Sequence, residues 1–237
     1  MDPAAMKPYG LALMDYHKGN KSASCTIIRD DGEVSDLPIS TFFRPAPSFE
    51  LEKIALDRCY GHILDAGAGT GIHSLFLQKK GFKVCAIDVL SEAVQIMVES
   101  GVADVHQADI MSFSVGRYDT ILMMGHGIGM VENIAGLEHF LRRIHTLLNP
   151  GGQILLTSVD IRNTKNANDL SYQQKNLESG KYFGEIRMRF TYQDTTGPIC
   201  GWLHIDAETL KVYSSRASWH CEVLHQQGDG NYLARLF

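Results

Sequence analysis

The sequence predicts an α/β fold, a parallel sheet covered by helices on both faces. Three observations carry that expectation. From Gly61 onward, strand-like and helix-like stretches alternate. The first strand and helix of that series meet in "HILDAGAGTGIHSL", with glycines at 67, 69 and 71 just after Asp65. Successive strands close on an acid: Asp65, Asp88, then Asp109. Repeated β-α units place their strands parallel and use the helices as crossovers on the two faces.

The elements follow in order. Residues 1–47 read as an appended N-terminal extension, a lid, ahead of a main domain at 48–237. Within the extension, "CTIIRDDGEVSDLPIS" holds a hairpin turning at Asp31-Gly32. Pro45 and Pro47 precede a helix that starts near Ser48 as its cap. "HILDAG" is a strand and "IHSLFLQKKG" a helix ending at Gly81. "KVCAID" is the second strand, and "SEAVQIMVESG" a helix capped by Ser91 and ended by Gly101. "ADVHQAD" and "YDTILMM" are the third and fourth strands. Ile134, Leu137, Leu141, Ile144 and Leu148 recur at helical spacing, and "NPGG" then breaks the chain before the strand "QILLTSV". Residues 161–180 are polar and Asn-rich, and read as a linker or mobile loop. Ile186, Met188, Phe190 and Tyr192 alternate with Glu185, Arg187, Arg189 and Thr191, the pattern of a half-exposed strand. That strand turns at Gly197-Pro198 and returns through "ICGWLHID", a hairpin insertion over 181–206. A helix over 207–217 and the strands "WHCEVLH" and "NYLARLF" close the domain.

Composition narrows the function classes. The 237 residues suit one α/β domain with additions. A net charge of −5, with both signs interspersed, gives no electrostatic reason to expect nucleic acid as a partner. No apolar run approaches the ~18 residues that span a bilayer, so no membrane partner is expected. The start, "MDPAAMKPYG", lacks the apolar core of an export signal. Five scattered cysteines without a C-x-x-C pair read as reduced thiols of a cytoplasmic protein. The expected partner is a small molecule, and the expected state is a monomer or homodimer.

The glycines select among nucleotides. A dinucleotide fingerprint needs G-x-G-x-x-G, but counting from Gly67 and Gly69 puts Ile72 where the third glycine belongs. Asp65, two residues before Gly67, would repel a pyrophosphate and attract an ammonium group. Asp88 lies 21 residues after Gly67, at a strand end where a carboxylate accepts hydrogen bonds from ribose hydroxyls. Together these describe a pocket for a nucleoside that carries an amino acid.

At this point "ILDAGAGTGIHSL", "VCAIDVLSEAV", "QADIMSF", "YDTILMM" and "LLNPGGQILLTSVD" resemble, in order over residues 61–160, the motifs of the class I S-adenosylmethionine-dependent methyltransferases. The resemblance implies a Rossmann-like seven-stranded sheet whose last strand, "NYLARLF", is antiparallel. It makes residues 61–160 the cofactor-binding half and S-adenosylmethionine the cofactor. Residue by residue, it places Asp65 and Gly67 at the methionine end and lets the backbone at Gly69 and Gly71 pass close to the ligand. Asp88 would bind the ribose, with Val89 beside the adenine and Asp109 and Ile110 on its other edge. Met124 and Gly125 would face the sulfonium and the acceptor. The bland alternative for one acid at a strand end is a turn or cap residue, but three in succession argue against it. Met124 reads equally well as core.

The acceptor is read from the segment after the fourth strand. "MMGHGIGM" lacks the D/N-P-P-Y/F motif seen in enzymes acting on base amines or amides. Only Glu132 and the later Asp160 offer carboxylates beyond that strand, so no metal is expected. His126 is the catalytic candidate, an imidazole able to accept a proton at neutral pH; its alternative is a polar loop residue that shapes the pocket. Arg44 is expected on the cofactor carboxylate, and its alternative is a solvated surface charge. Tyr9, Tyr16 and His17 are expected over the methyl donor, since aromatic faces attract a sulfonium. Trp202 and Tyr182 are the aromatics of the hairpin insertion, candidates for substrate contact or ordinary packing. The reading is methyl transfer to an O or N atom of a small molecule. Its rivals are a non-catalytic protein that binds S-adenosylmethionine or S-adenosylhomocysteine and, with less support, a nicotinamide-dependent oxidoreductase.

Overall fold

The computed structural model describes residues 1–237. Helix α1 (Pro3–His17) opens with Asp2 as its cap, the carboxylate accepting the Ala4 N–H, and Pro3 fixing the first turn. Strands β1 (Ser24–Arg29) and β2 (Val34–Pro38) form the hairpin about Asp31-Gly32. A strap over residues 39–49 leads into α2 (Glu50–Arg58). Then come β3 (His62–Ala66), α3 (Ile72–Lys79), β4 (Lys83–Asp88), α4 (Ser91–Glu99), β5 (Val105–Gln107) and β6 (Tyr118–Met123). A short 3-10 turn at Gly127–Val131 precedes α5 (Ile134–Arg143), capped by the Asn133 side chain on Gly136 N–H. The remainder is β7 (Leu148–Val159), α6 (Ala167–Glu178), β8 (Glu185–Tyr192), β9 (Thr195–Thr196), β10 (Cys200–Leu203), α7 (Ala207–Arg216), β11 (Cys221–Gln226) and β12 (Asn231–Leu236).

Seven strands form the central sheet in the order β11-β12-β7-β6-β3-β4-β5. The contacts β3–β4, β3–β6, β4–β5 and β6–β7 are parallel, and β12 runs antiparallel to both its neighbours. Strand order reverses direction at β3, with β4 on one side and β6 on the other. In doubly wound sheets the crevice at the carboxyl ends of such strands is where ligands bind.

A second sheet runs β10-β8-β1-β2, with β9 on β8. Thr26 to Arg29 of the extension pair with Met188 to Thr191 of the insertion. The two appended segments, far apart in the chain, are therefore one cap. Helix α1 locks it to the body through its own apolar cluster. There Leu13, Ala12, Cys25 and Ile39 are inaccessible, together with Leu90, Ala93 and Ile96 around α4 and Phe190 of β8.

Four local expectations need correction. Ser48 does not cap α2: Phe49 holds that position, and Glu52 accepts the Ser48 and Phe49 N–H groups. The "NPGG" turn does not precede its strand but lies inside β7, which starts at Leu148 and pairs with Tyr118 there. Ser91 does not cap α4: Leu90 holds that position without a side-chain bond, and Asp88 accepts the Leu90 N–H. Residues 161–180 are not a loop but chiefly helix α6, capped by Asn166. Its inner face is polar and still buried, at Tyr172, Gln173 and Asn176. Asn176 Nδ2 donates to the Phe183 and Glu185 carbonyls, and Gln173 Nε2 to Ile161. Satisfied amides bury at little cost, so an apolar stripe was never needed.

Candidate active site

The glycine turn after β3 is held by the next strand. Gly67 and Ala68 N–H groups donate to the Ile87 carbonyl, and Gly69 N–H donates to Asp88 Oδ2 at 2.9 Å. Gly67, Gly69 and Gly71 all take left-handed backbone, which only glycine adopts freely. Beyond Gly69 and Gly125 the space where a side chain would stand is open. Beyond Gly67 it is closed by the Met130 thioether, whose Sδ would lie 2.8 Å from a Cβ.

Two carboxylates lie in this turn without a cation. Asp65 is buried and accepts the Ser74 hydroxyl at 2.6 Å; burial pushes its pKa up against the opposing pull of His73 and Ser74. Asp88 accepts backbone N–H groups of Gly69 and Leu90, and burial pushes it up as well. Each keeps unused lone pairs. A ligand that brings an ammonium to Asp65 and hydroxyls to Asp88 would relieve both, so the residues present fit an amino-acid nucleoside.

Other predicted residues are placed as follows. Asp109 caps its own turn through Met111 N–H and takes the Met1 amino group at 2.7 Å. Ile110 is buried in the main core, with its carbonyl on Arg143. Val89 packs on the cluster beneath α1, and its carbonyl accepts from Gln107. Met124 faces the core beside Leu51 and Ala55 of α2, while Gly125 is exposed. Arg44 is tied to Glu52, stacks over Phe49 at 4.3 Å, and donates to the Thr41 carbonyl. Glu52 also meets His73 at 3.1 Å and the Ser48 N–H. Burial pushes Glu52 up, but His73, Ser48 and Arg44 together hold it below the usual carboxylate range. The strap reaches the glycine turn where the Thr70 hydroxyl donates to the Phe42 carbonyl.

The aromatics divide. Tyr9 packs edge-on against Phe42 at 5.2 Å and beside Phe190, close enough to Asp88 for burial and that carboxylate to push its pKa up. Tyr16 stacks on Phe43 at 4.6 Å. His17 joins this group by stacking, its ring 6.1 Å from that of Phe43. It pairs with Glu99 at 2.8 Å, whereas Lys7, ten residues earlier, pairs with Glu92. Seven helical residues separate the two acids, about 10 Å along α4 away from Asp88. Trp202 covers the segment after β6 so closely that a Cβ on Gly129 would fall on its indole nitrogen. The Tyr182 hydroxyl donates to Asp206.

His126 has left-handed backbone at φ 59°. Its N–H donates to the Thr157 hydroxyl at 3.0 Å and its Nε2 meets Asn231 Oδ1 at 2.6 Å. The amide oxygen fixes the proton on Nε2 and leaves Nδ1 as an acceptor. Burial lowers its pKa, against the opposing pull of Asn231 and Asp229, so the ring is neutral at pH 7. The sequence did not single out its neighbour His204, whose ring centre lies 5.8 Å away. The His204 Nδ1 is shut off from solvent without a partner. Burial, with a smaller push from His126, lowers its pKa to about 4. His204 stands on the wall of a cavity of about 420 Å³ between β1, β8, α6 and the carboxyl end of β7.

The fold agrees with the known proteins that the chain resembles. Residues 41–211 match the family described as a methyltransferase domain. A methyltransferase dependent on S-adenosylmethionine from Bacteroides fragilis, crystallised with S-adenosylhomocysteine, is 32% identical, with a TM-score of 0.87 over 100% of this chain and 97% of that one. The glycine/sarcosine N-methyltransferase of Halorhodospira halochloris is 32% identical over 131 residues, 52% of this chain and 47% of the relative. A ubiquinone biosynthesis O-methyltransferase of Azotobacter vinelandii is 32% identical over 111 residues, 44% of this chain and 46% of the relative. The chain spans about half the length of the curated relatives it matches. It belongs to the methyltransferase-domain family, in the class that uses S-adenosylmethionine.

Proposed function

We propose that the chain methylates an oxygen or nitrogen atom of a small molecule, with S-adenosylmethionine as donor. One observation carries the small-molecule reading. The cap and the carboxyl end of β7 line a half-open cavity of about 420 Å³ with His204 on its wall, and the His126 ring lies 5.8 Å from that of His204. That volume suits a compact organic acceptor. The N- and O-methyltransferases among the relatives support the choice of atoms.

In this reading the cofactor, when bound, supplies an electrophilic methyl group on a sulfonium. Asp65 takes its ammonium and Asp88 its ribose hydroxyls, while Gly67 and Gly69 leave the backbone bare beside it. Val89, Asp109 and Ile110 border the adenine and Gly125 the reacting end, while Met124 stays in the core against α2. Tyr9, Phe42 and the strap exclude water, which strengthens every polar contact inside. Arg44 serves by fixing Glu52 and so the strap. His126 Nδ1 accepts a hydrogen bond from the acceptor. With a hydroxyl acceptor, the proton turns strongly acidic as oxygen bonds to carbon, and a neutral imidazole takes it. A free amine needs only the orienting bond. Trp202 closes the roof over the segment after β6.

The test is release of S-adenosylhomocysteine by the full chain across a panel of small alcohols, phenols, amines and carboxylic acids. Turnover with at least one acceptor is the expected result. Tight binding of S-adenosylhomocysteine with no turnover across the panel favours the non-catalytic rival.

A further inference from the structure

The cavity wall carries a charge pattern that the methyl-transfer reading leaves unused. Glu33, Asp160, Asp169 and Asp229 all line it, against a single guanidinium, Arg29. Arg29 is already engaged, by Asp31 at 2.8 and 3.0 Å and by Asp169 at 2.7 Å. Arg162, outside the wall, holds Asp160 at 2.7 Å. Counting both guanidiniums, carboxylates still outnumber them two to one. Glu33 is held only by Asn168, and Asp229 only by the Asn231 N–H. Beside these acids stands His204, with its Nδ1 buried and without a partner. As the acceptor nitrogen of a neutral imidazole, it would be satisfied by a donor on a ligand in the cavity.

Resting on the methyltransferase reading, we propose that the acceptor is a small molecule with a basic amine, methylated at nitrogen. His204 Nδ1 accepts one of its N–H groups, and the acidic wall draws the amine in and holds the product cation.

The charge balance supports this choice. The amine enters as the ammonium ion, R–NH3(+), loses one proton to water at the open mouth of the cavity, and reacts as the free base, R–NH2. A bond forms from nitrogen to the methyl carbon while the carbon–sulfur bond breaks, its electron pair going to sulfur. The positive charge thereby moves from sulfonium to nitrogen, giving R–NH2(+)–CH3 and neutral sulfur. Fixed negative charge around the nitrogen stabilises the charge that develops there. The same wall repels a phenolate or carboxylate as it enters. A neutral imidazole is the right neighbour, since a protonated one would repel the ammonium product. His126, from the segment after β6, is the titratable group against His204, and Arg29, Glu33, Asp160, Asp169 and Asp229 share the cavity wall with it.

The experiment compares matched probes with the full chain and S-adenosylmethionine. They are phenethylamine, 2-phenylethanol and phenylacetate, then glucosamine, glucose and gluconate. The expected result is a kcat/KM for an amine at least tenfold above that of its alcohol and its acid. The pair of substitutions Glu33→Gln and Asp229→Asn should raise the amine KM about tenfold without changing S-adenosylhomocysteine affinity by calorimetry. His204→Gln should raise the amine KM and lower kcat together. Preference for the alcohols or acids overturns the proposal, as does an amine KM indifferent to the paired substitutions. So does absence of turnover with both amines while S-adenosylhomocysteine still binds. Failure of the unsubstituted chain to bind S-adenosylhomocysteine overturns the methyltransferase reading instead.

Discussion

Asp88 concentrates the residue-scale argument. Its two oxygens already hold the Gly69 and Leu90 N–H groups, so it both shapes the glycine turn and presents lone pairs to a ligand. Asp88→Ala should weaken S-adenosylhomocysteine binding by about 1–3 kcal/mol, the usual cost of removing a charged acceptor. Titration calorimetry reads it, and unchanged affinity would remove the ribose assignment. Asn231→Leu frees the His126 Nε2 and lets the ring choose its tautomer. The expected effect is a fall in kcat of about tenfold, less than the roughly 100- to 10,000-fold that a general base itself supplies, with unchanged cofactor affinity. Asp65, Gly67, Gly69 and Asp88 were legible in the sequence because one β-α-β unit brings them together within 24 residues. Asn231 and His204 were not. Asn231 meets His126 across 105 residues of chain, and no local pattern announces that meeting.

At the scale of elements, the cap is the informative unit. Strands of the extension and of the insertion were each visible as alternating residues. Their union into one sheet was not, because β-pairing partners are set by tertiary packing. Helix α6 was missed for a different reason, its buried face being made of satisfied amides and not apolar side chains. Two predictions belong here. Leu13→Ala, at an inaccessible position between α1 and the cap, should cost about 2–5 kcal/mol in denaturant unfolding. Gly129→Ala sets a methyl group on the Trp202 indole and should cost about 1–3 kcal/mol by overpacking. The second substitution Trp202→Ala should recover part of that loss, and a purely additive pair would mean that β10 does not rest on this segment.

The whole molecule carries opposing titrations. Glu52 is held below its ordinary pKa by His73, Ser48 and Arg44 against burial. Its contribution to stability is therefore present above the unfolded value and lost as pH falls through the folded one. Asp65 and Asp88 are raised by burial. They favour the folded state below their unfolded pKa, and that advantage disappears as pH rises and they ionise. A body that keeps two buried acids near the reversal of its strand order gives up stability for a site, a common trade. Asp65→Asn should raise the melting temperature of the ligand-free protein at pH 7, with the gain vanishing near pH 3. A lower melting temperature at pH 7 would show that Asp65 is structural. The central claim is that this site takes a nucleoside bearing an amino acid. Titration calorimetry of the full chain with S-adenosylhomocysteine and, separately, NAD tests it most directly. One saturable site for S-adenosylhomocysteine and no heat with NAD is the expected result. Binding of NAD, or none of S-adenosylhomocysteine, would contradict it.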